Sequence, residues 1–211
     1  MELIGLTRAV ALTTLTFTLS ATPTWGQTNQ TQALTIKNSQ VVSQRPPILY
    51  SQSQSNRDLA ETYFDRGIDY YGQGNLDLAL ADFTQAIKLN PNYADAYINR
   101  GVVYANQQKW DLALADYNKA IALDPNYANA YYNRGLVYHN QRKWDLALAD
   151  YTKAIAIHPN YADAYNNRGN VYRQLGNINK AREDLQRAAQ LFRNQGNTAA
   201  YQSTIRRLNS L

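Results

Sequence analysis

The side chains best suited to acid–base or metal chemistry are scarce in this sequence. Its two histidines, His139 and His158, have no partner at a spacing typical of a zinc site. There is no cysteine, which excludes disulfides, thiolate zinc sites and cysteine nucleophiles. No strand pattern precedes a glycine-rich phosphate loop. We therefore expect no catalytic residue, no metal site, no cofactor and no small-molecule substrate.

Two kinds of charged residue recur at a fixed spacing instead. An arginine occurs every 34 residues, and an aspartate follows each arginine after sixteen residues. We predict that each pair forms a partly buried ion pair between two helices. The alternative is an arginine whose aliphatic stem packs while its charged head stays in water. The four pairs are Arg66–Asp82, Arg100–Asp116, Arg134–Asp150 and Arg168–Asp184.

The period of 34 residues extends to most other positions. Residues 94–127 and 128–161 agree at 26 of 34 positions, and residues 60–93 and 162–195 align with them without gaps. A fixed period of this length is the sequence signature of stacked repeat units. We therefore predict four repeat units within residues 58–195.

Each unit is predicted to form two helices that approach each other through small residues. In the first helix, two tyrosines lie seven residues apart on one face, with a glycine between them. Glycine inside a helix costs about 1 kcal/mol relative to alanine, so four glycines at one phase indicate a close approach of the second helix. That helix offers alanines on both sides of an aromatic residue or leucine, and a proline ends it in three units. The structural positions are Gly67, Gly101, Gly135 and Gly169; Ala79, Ala113, Ala147 and Ala181; Ala86, Ala120, Ala154 and Ala188; and Pro91, Pro125 and Pro159.

This order of aromatic residue, glycine, tyrosine, alanine, aromatic residue, alanine and proline resembles the tetratricopeptide repeat (TPR) family over residues 60–195. The resemblance implies an all-α fold, a right-handed superhelix (α-solenoid) of four helix-turn-helix repeats. Family members usually have leucine where this chain has the arginine of each ion pair. Nearer the C-terminus, Tyr201, Ile205 and Leu208 have helical spacing. We therefore predict that residues 196–211 form a capping helix on the last repeat.

The differences between the two most similar units suggest a variable surface. They differ at eight positions, and four of these lie on one stripe of the first helix. We interpret this stripe as free of the packing constraints that hold the other positions. It is either an exposed surface that has drifted or a face that was diversified for a partner. The four positions are Asp95/Asn129, Ile98/Tyr132, Val102/Leu136 and Ala105/His139.

The resemblance implies that this stripe lines a concave groove, because the first helices of TPR proteins usually bind extended peptides or partner helices there. The amides Asn99, Asn133 and Asn167 could contact a peptide backbone or only solvate the helix. The clamp that binds acidic chaperone tails needs lysine and arginine where this chain has other residues, so we do not predict it. The groove would contain Phe64, Ile68, Tyr71, Ile98, Asn99, Val102, Tyr132, Asn133, Leu136, His139, Asn166, Asn167, Asn170 and Arg173.

The N-terminal residues differ in composition from the repeats. Residues 1–26 have a basic residue, then an apolar stretch, then small residues, which is typical of a secretory signal peptide. The apolar stretch is shorter than the roughly 20 residues that span a bilayer, so cleavage would leave no stable membrane span. The alternative is an uncleaved membrane anchor. Residues 27–57 are polar and are predicted to be a disordered linker. The folded part would then be periplasmic, luminal or extracellular.

The net charge of +5 is unevenly distributed. Acidic residues outnumber basic ones over residues 60–127, and the reverse holds from residue 128 onward. The excess either solvates exposed faces or orients a partner. We predict a non-catalytic scaffold that binds a protein or peptide partner and assists assembly of an envelope or exported complex. The alternatives are a self-associating structural array and a nucleic-acid binder, and export together with the acidic first units argues against nucleic acid.

Overall fold

The structure, a computed structural model, describes residues 47–211. Within this range the chain forms nine α-helices and no β-strand. The first eight helices pair into four hairpins, one for each repeat unit, and the ninth packs against the eighth. This arrangement confirms the predicted all-α solenoid of four repeats with a C-terminal capping helix. The helices are α1 (Pro47–Gly72), α2 (Leu76–Leu89), α3 (Ala94–Asn106), α4 (Trp110–Leu123), α5 (Ala128–Asn140), α6 (Trp144–Ile157), α7 (Ala162–Gln174), α8 (Ile178–Asn194) and α9 (Thr198–Asn209).

Helix α1 begins well before the first repeat unit. The prediction of disorder is therefore wrong for residues 47–57, which form the first turns of α1. Residues 52–59 are exposed, so local bonds rather than burial support the helix here, as where Gln54 Nε2 donates to Asp58 Oδ1 at 3.1 Å. Once a packed helix exists, adding a turn needs no new nucleus. The predicted signal peptide and the rest of the predicted linker, residues 1–46, lie outside the described residues.

The turn inside each unit needs a residue with positive φ. Gly74 and Gly176 supply it in the first and fourth units, with φ of 79° and 75°. Gln108 and Arg142 adopt the same conformation in the second and third units, with φ of 58° and 57°. A side chain in this left-handed region costs roughly 1–2 kcal/mol. The two middle units therefore carry backbone strain that the outer units avoid.

We expect Gln108→Gly to stabilise the fold by about 1 kcal/mol, because relief of this strain exceeds the added entropy of the unfolded chain. Arg142→Gly should behave in the same way. Urea denaturation monitored by circular dichroism measures the change. The matched control is Gln107→Gly, one residue earlier, where φ is −82° and glycine should destabilise the protein. A loss of stability in Gln108→Gly would contradict the prediction.

In the first three units, the two helices meet where a glycine of the first helix lies under an aromatic ring of the second. A Cβ atom added to Gly67 would lie 2.7 Å from Phe83 Cε1, and one added to Gly101 would lie 2.7 Å from Tyr117 Cε1. The predicted close approach is confirmed, although the glycine faces the aromatic residue of the second helix rather than its alanines. Those alanines are fully buried on either side of the ring.

The predicted Arg–Asp ion pairs are present in all four units. In the second unit, Arg100 Nε and Nη2 donate to the two carboxylate oxygens of Asp116 at 2.9 and 2.7 Å. Asp116 is buried, and the guanidinium lies over the Tyr97 and Tyr104 rings at 5.7 and 5.9 Å from their centroids. Two parallel charge-assisted hydrogen bonds fix the geometry more tightly than one would. Each pair therefore joins the two helices of its unit.

The remaining arginine nitrogen joins a unit to the one before it. In the last three units, Nη1 donates to a threonine or asparagine on the second helix of the preceding unit. These bonds run from Arg100 to Thr84 at 3.2 Å, from Arg134 to Asn118 at 2.6 Å and from Arg168 to Thr152 at 3.0 Å. We call this series of four arginines with their partners the arginine ladder. It repeats at the same sequence position of each unit and therefore sets a common packing of one unit on the next.

Candidate functional site

The first helices of the units form one continuous surface. Helix α1 contacts α3, and α3 contacts α5, in addition to the contacts that each makes within its own unit. Side chains three or four residues apart share one face of such a helix, so the predicted groove residues of each helix point the same way. We call the surface they form the inner face. It comprises Phe64, Ile68, Tyr71, Ile98, Val102, Ala105, Tyr132, Leu136, His139, Asn166, Asn170 and Arg173.

Packing between units closes part of the inner face. Ile98 and Val102 are 3% and 0% exposed, and Ala105 is buried beside them. Phe64 and Asn166 are buried as well. The expectation that this stripe is free of packing constraints is therefore wrong for the second unit. Its side chains fill the space between neighbouring first helices, where a partner cannot reach them.

A partly exposed patch remains in the middle of the inner face, on α5. It consists of Tyr132, Leu136 and His139. The Tyr132 ring lies 4.8 Å from the Tyr161 ring, and the His139 ring lies 5.3 Å from the Trp144 ring, measured between centroids. Burial lowers the pKa of His139 from its usual value, which favours the neutral imidazole at pH 7. This patch is therefore apolar and uncharged.

Two partly exposed side chains of α1, Ile68 and Tyr71, extend the inner face toward the first unit. The Tyr71 hydroxyl accepts a hydrogen bond from Asn106 Nδ2 at 2.6 Å. Asn106 follows Tyr71 by 35 residues, so this bond crosses from one unit to the next. The ring of Tyr71 is therefore held in place from the neighbouring helix.

The three recurring amides have different surroundings. Asn99 is buried and donates through Nδ2 to the Asp95 carbonyl oxygen at 3.0 Å, within its own helix. Asn133 is buried too. Asn167 is partly exposed and donates through Nδ2 to the Tyr132 hydroxyl at 3.0 Å, across the boundary between units. Asn99 and Asn133 are thus packing residues rather than peptide contacts, and Asn167 alone of the three stays a candidate contact.

The sequence interpretation overlooked three tyrosines at the unit boundaries. Tyr93 lies 4.9 Å from the ring of Phe64, and Tyr161 donates to Asn129 Oδ1 at 2.8 Å. Tyr127 donates a hydrogen bond to Asp95. These tyrosines border the inner face at the N-terminal ends of its helices. Their recurrence every 34 residues was visible in the sequence, but they also fit a purely structural role in opening the next unit.

The end of the inner face near α1 is acidic. Glu61 and Asp65 of α1 are exposed, and Asp95 of α3 is partly exposed. Burial, and then the negative charges of Asp95, Glu61 and Asp65, raise the pKa of Tyr93. All three carboxylates therefore act on one ring at the boundary between the first and second units. A cationic group would be attracted to this end.

The opposite end, on α7, is polar and basic. Asn170 and Arg173 of α7 occupy places where the first unit has Ile68 and Tyr71. Asn170 Oδ1 and Arg173 Nε are buried atoms without a hydrogen-bond partner in the part of the chain that the structure describes. A buried polar atom left unsatisfied costs about 1–3 kcal/mol. Asn170 and Arg173 are partly exposed as residues, so a shift of either side chain would let a partner supply the missing donor or acceptor.

Neither a metal site nor a membrane-spanning helix is found among residues 47–211. No group of three histidine, aspartate or glutamate side chains in this range could hold a metal ion. No helix in the range is both long and apolar enough to cross a bilayer. His158, the second histidine, is exposed and lies against Tyr161 with the two rings tilted and their centroids 5.5 Å apart.

Comparison with protein-family models identifies the repeats. Models described as Tetratricopeptide repeat match residues 64–128, 128–161 and 162–195. These matches run without a gap through the four hairpins and cover more than half of the chain. A comparison with curated proteins gives no match.

Solved structures resemble the fold as well. The crystal structure of MamA is 26% identical with a TM-score of 0.61, over 70% of this chain and 86% of that one. The first TPR domain of Spaghetti (RPAP3), solved with the HSP90 peptide SRMEEVD, is 28% identical with a TM-score of 0.55, over 57% of this chain and 95% of that one. PilF of Pseudomonas aeruginosa is 20% identical with a TM-score of 0.60, over 74% and 78%, which supports the fold alone.

Proposed function

Because the chain belongs to the tetratricopeptide repeat family, whose domains bind protein or peptide partners, we propose that it is a non-catalytic scaffold. Its inner face holds a segment of a partner protein, as an extended peptide or a helix. The bound protein is a component of an envelope or exported complex whose assembly the scaffold assists. The RPAP3 domain was solved with a peptide, which supports the part of this proposal that concerns peptide binding.

One observation carries this proposal: the inner face keeps an accessible apolar patch between two ends of opposite character. Tyr132, Leu136 and His139 are partly exposed, whereas the equivalent side chains of the second unit, Ile98, Val102 and Ala105, are buried. Asn170 and Arg173 lie partly exposed beyond that patch, and their Oδ1 and Nε atoms have no hydrogen-bond partner among the described residues. Apolar contact for affinity and a few unsatisfied polar atoms for orientation are typical of a recognition surface.

The partner and compartment follow from the same proposal. The partner is a protein segment rather than nucleic acid, because the accessible carboxylates Glu61, Asp65 and Asp95 would repel a phosphate backbone from the acidic end of the inner face.

We place the folded part outside the cytoplasm, in the periplasm, a lumen or the medium, because the composition of residues 1–26 is typical of a signal peptide. N-terminal sequencing of the mature protein checks this, and a chain that still begins at Met1 would contradict cleavage.

We expect the triple variant Leu136→Ala, His139→Ala, Arg173→Ala to lose partner binding by at least about tenfold, because it removes the accessible centre of the inner face together with the cationic side chain on α7. The assay is capture from an envelope extract on the immobilised full chain. It is followed by titration of the captured protein against each variant. Circular dichroism checks that the variant still melts cooperatively.

The matched control is Leu112→Ala, Leu146→Ala, two leucines about half exposed on the second helices, which should leave the affinity unchanged. A photo-crosslinking amino acid placed at position 136 should label the captured protein, and the same amino acid at position 146 should not. Equal labelling from both positions, or equal binding by both variants, would show that the inner face is not the binding surface.

A further inference from the structure

The two ends of the repeat array differ in how they are finished. The C-terminal end carries α9, which covers the last repeat. At the other end, no described helix precedes α1. Exposure of the ladder arginines differs between the two ends. The side chain of Arg66 is 53% exposed, whereas those of Arg100, Arg134 and Arg168 are 17%, 21% and 16% exposed. The face of α1 that a preceding unit would cover is therefore open.

The residues on this open face differ in type from their counterparts. In the second unit, the face covered by the preceding unit includes Ala96, Asn99 and Val103, all buried. The first unit has Thr62, Asp65 and Asp69 at these places, all exposed. Asp58 lies one turn before Thr62 on the same face of the helix. We call this surface the N-terminal edge.

Solubility alone does not account for the carboxylates on this edge. A terminal unit needs a polar outer face, and neutral side chains would provide one. Asp65 and Asp69 lie four residues apart, and Glu61 lies four residues before Asp65. Like charges at this spacing destabilise a helix by roughly 0.2–0.5 kcal/mol per pair. A basic partner surface would turn that repulsion into attraction.

The opposite end of the same chain supplies such a surface. Residues 162–211 contain eight lysine and arginine residues against three aspartate and glutamate residues. Arg182 and Arg193 of α8 and Arg206 of α9 are exposed. Arg193 and Arg206 lie in the last turns of their helices. We call these three arginines the basic end.

We propose that the chain self-associates head to tail, with the N-terminal edge of one copy docked against the basic end of a second copy. Each contact uses two different surfaces and leaves one of each kind free, so the assembly can grow by further copies. The contact takes up Asp65, at the acidic end of the inner face, but leaves Tyr132, Leu136 and His139 open, so it can be tested separately from the function proposed for that face. The contact is electrostatic and is therefore weakened by salt.

The test uses the purified full chain. Sedimentation velocity and light scattering are recorded over a concentration series up to about 1 mM. The mean mass should rise with concentration at about 10 mM salt, where the Debye length is about 30 Å. It should fall back to that of the monomer at about 1 M salt, where the Debye length is about 3 Å. A chain that stays monomeric throughout would overturn the proposal and leave the edge as a solubilising cap. Association that persists at high salt would also overturn it, because another surface would then be responsible.

Charge reversal locates the contact. Asp65→Lys, Asp69→Lys at the edge, and separately Arg193→Glu, Arg206→Glu at the basic end, should each raise the dissociation constant at least about tenfold. An equimolar mixture of the two variants should associate again, since the reversed edge of one then matches the reversed end of the other. The control is Asp111→Lys, Asp145→Lys, an equal charge change at two exposed aspartates of the middle units, which should associate like the unaltered chain. Failure of the mixture to associate, or an equal loss in the control, would refute the assigned surfaces.

Discussion

Asp116→Ala is expected to destabilise the protein by about 3 kcal/mol, because it leaves the Arg100 guanidinium mostly buried without its counter-ion. Arg100 donates two hydrogen bonds to this carboxylate, and its side chain is only 17% exposed. Burial raises the pKa of Asp116, against the lowering effect of the Arg100 hydrogen bond and charge. The cost of removing Asp116 from water therefore offsets much of its attraction to Arg100. Most of the stability lost in Asp116→Ala comes from the buried Arg100 charge that is left without a partner, and less from the loss of the ion pair itself.

This origin of the loss can be tested with a double-mutant cycle. The double variant Arg100→Ala, Asp116→Ala should lose less free energy of unfolding than the two single variants lose together, because neither charge is then left without its partner. Urea denaturation measures all four proteins. Asp82→Ala is the matched comparison, and its loss should be smaller because Arg66 is 53% exposed and water can solvate it. Additive losses in the cycle would show that the two side chains are not coupled.

The second large effect is expected for Gly101→Val, which should destabilise the fold by about 2–3 kcal/mol through overpacking. A Cβ atom here would lie 2.7 Å from Tyr117 Cε1. The Tyr117 ring is fully buried and cannot move aside as a flexible chain could. The gain in helix propensity over glycine is too small to compensate.

Substitutions at two other glycines serve as comparisons for Gly101→Val, with stability measured by thermal and urea denaturation. Gly169→Val should cost less, because no atom lies closer than 3.1 Å to a Cβ added there, against 2.7 Å at Gly101. Gly72→Ala, with nothing within 4 Å of the added atom, should stabilise α1 by about 0.5–1 kcal/mol. If Gly101→Val were as stable as the unaltered protein, the ring contact would not be the reason for glycine at this position.

The fold could be predicted from the sequence because each structural position occurs several times. Gly67, Gly101 and Gly135 all lie under an aromatic ring, so one physical constraint was visible three times at one phase. The spacing of sixteen residues between Arg100 and Asp116 was likewise repeated, and it predicted the ion pairs correctly. Repetition separates positions that packing holds constant from those that it leaves variable.

The candidate site was less predictable because variation does not imply exposure. Ile98 and Tyr132 differ in size at equivalent positions, yet Ile98 is buried against neighbouring helices, so a change in one unit was matched by packing around it. A single sequence does not show such compensation. The start of α1 was missed for a different reason: residues 52–59 bury almost nothing, and no apolar period indicates a helix held by local bonds.

The arginine ladder has a consequence for how this molecule could change length. In each of the last three units, the arginine Nη1 atom donates a hydrogen bond to the preceding unit. Its acceptor is a threonine or an asparagine, Thr84, Asn118 or Thr152, so either residue type serves at this place. A gene rearrangement that duplicates or deletes the second or third unit would therefore join boundaries that carry the same arginine hydrogen bond. Changes of length by one whole middle unit preserve these bonds, which makes the second and third units the suitable place to lengthen or shorten the array in engineered variants.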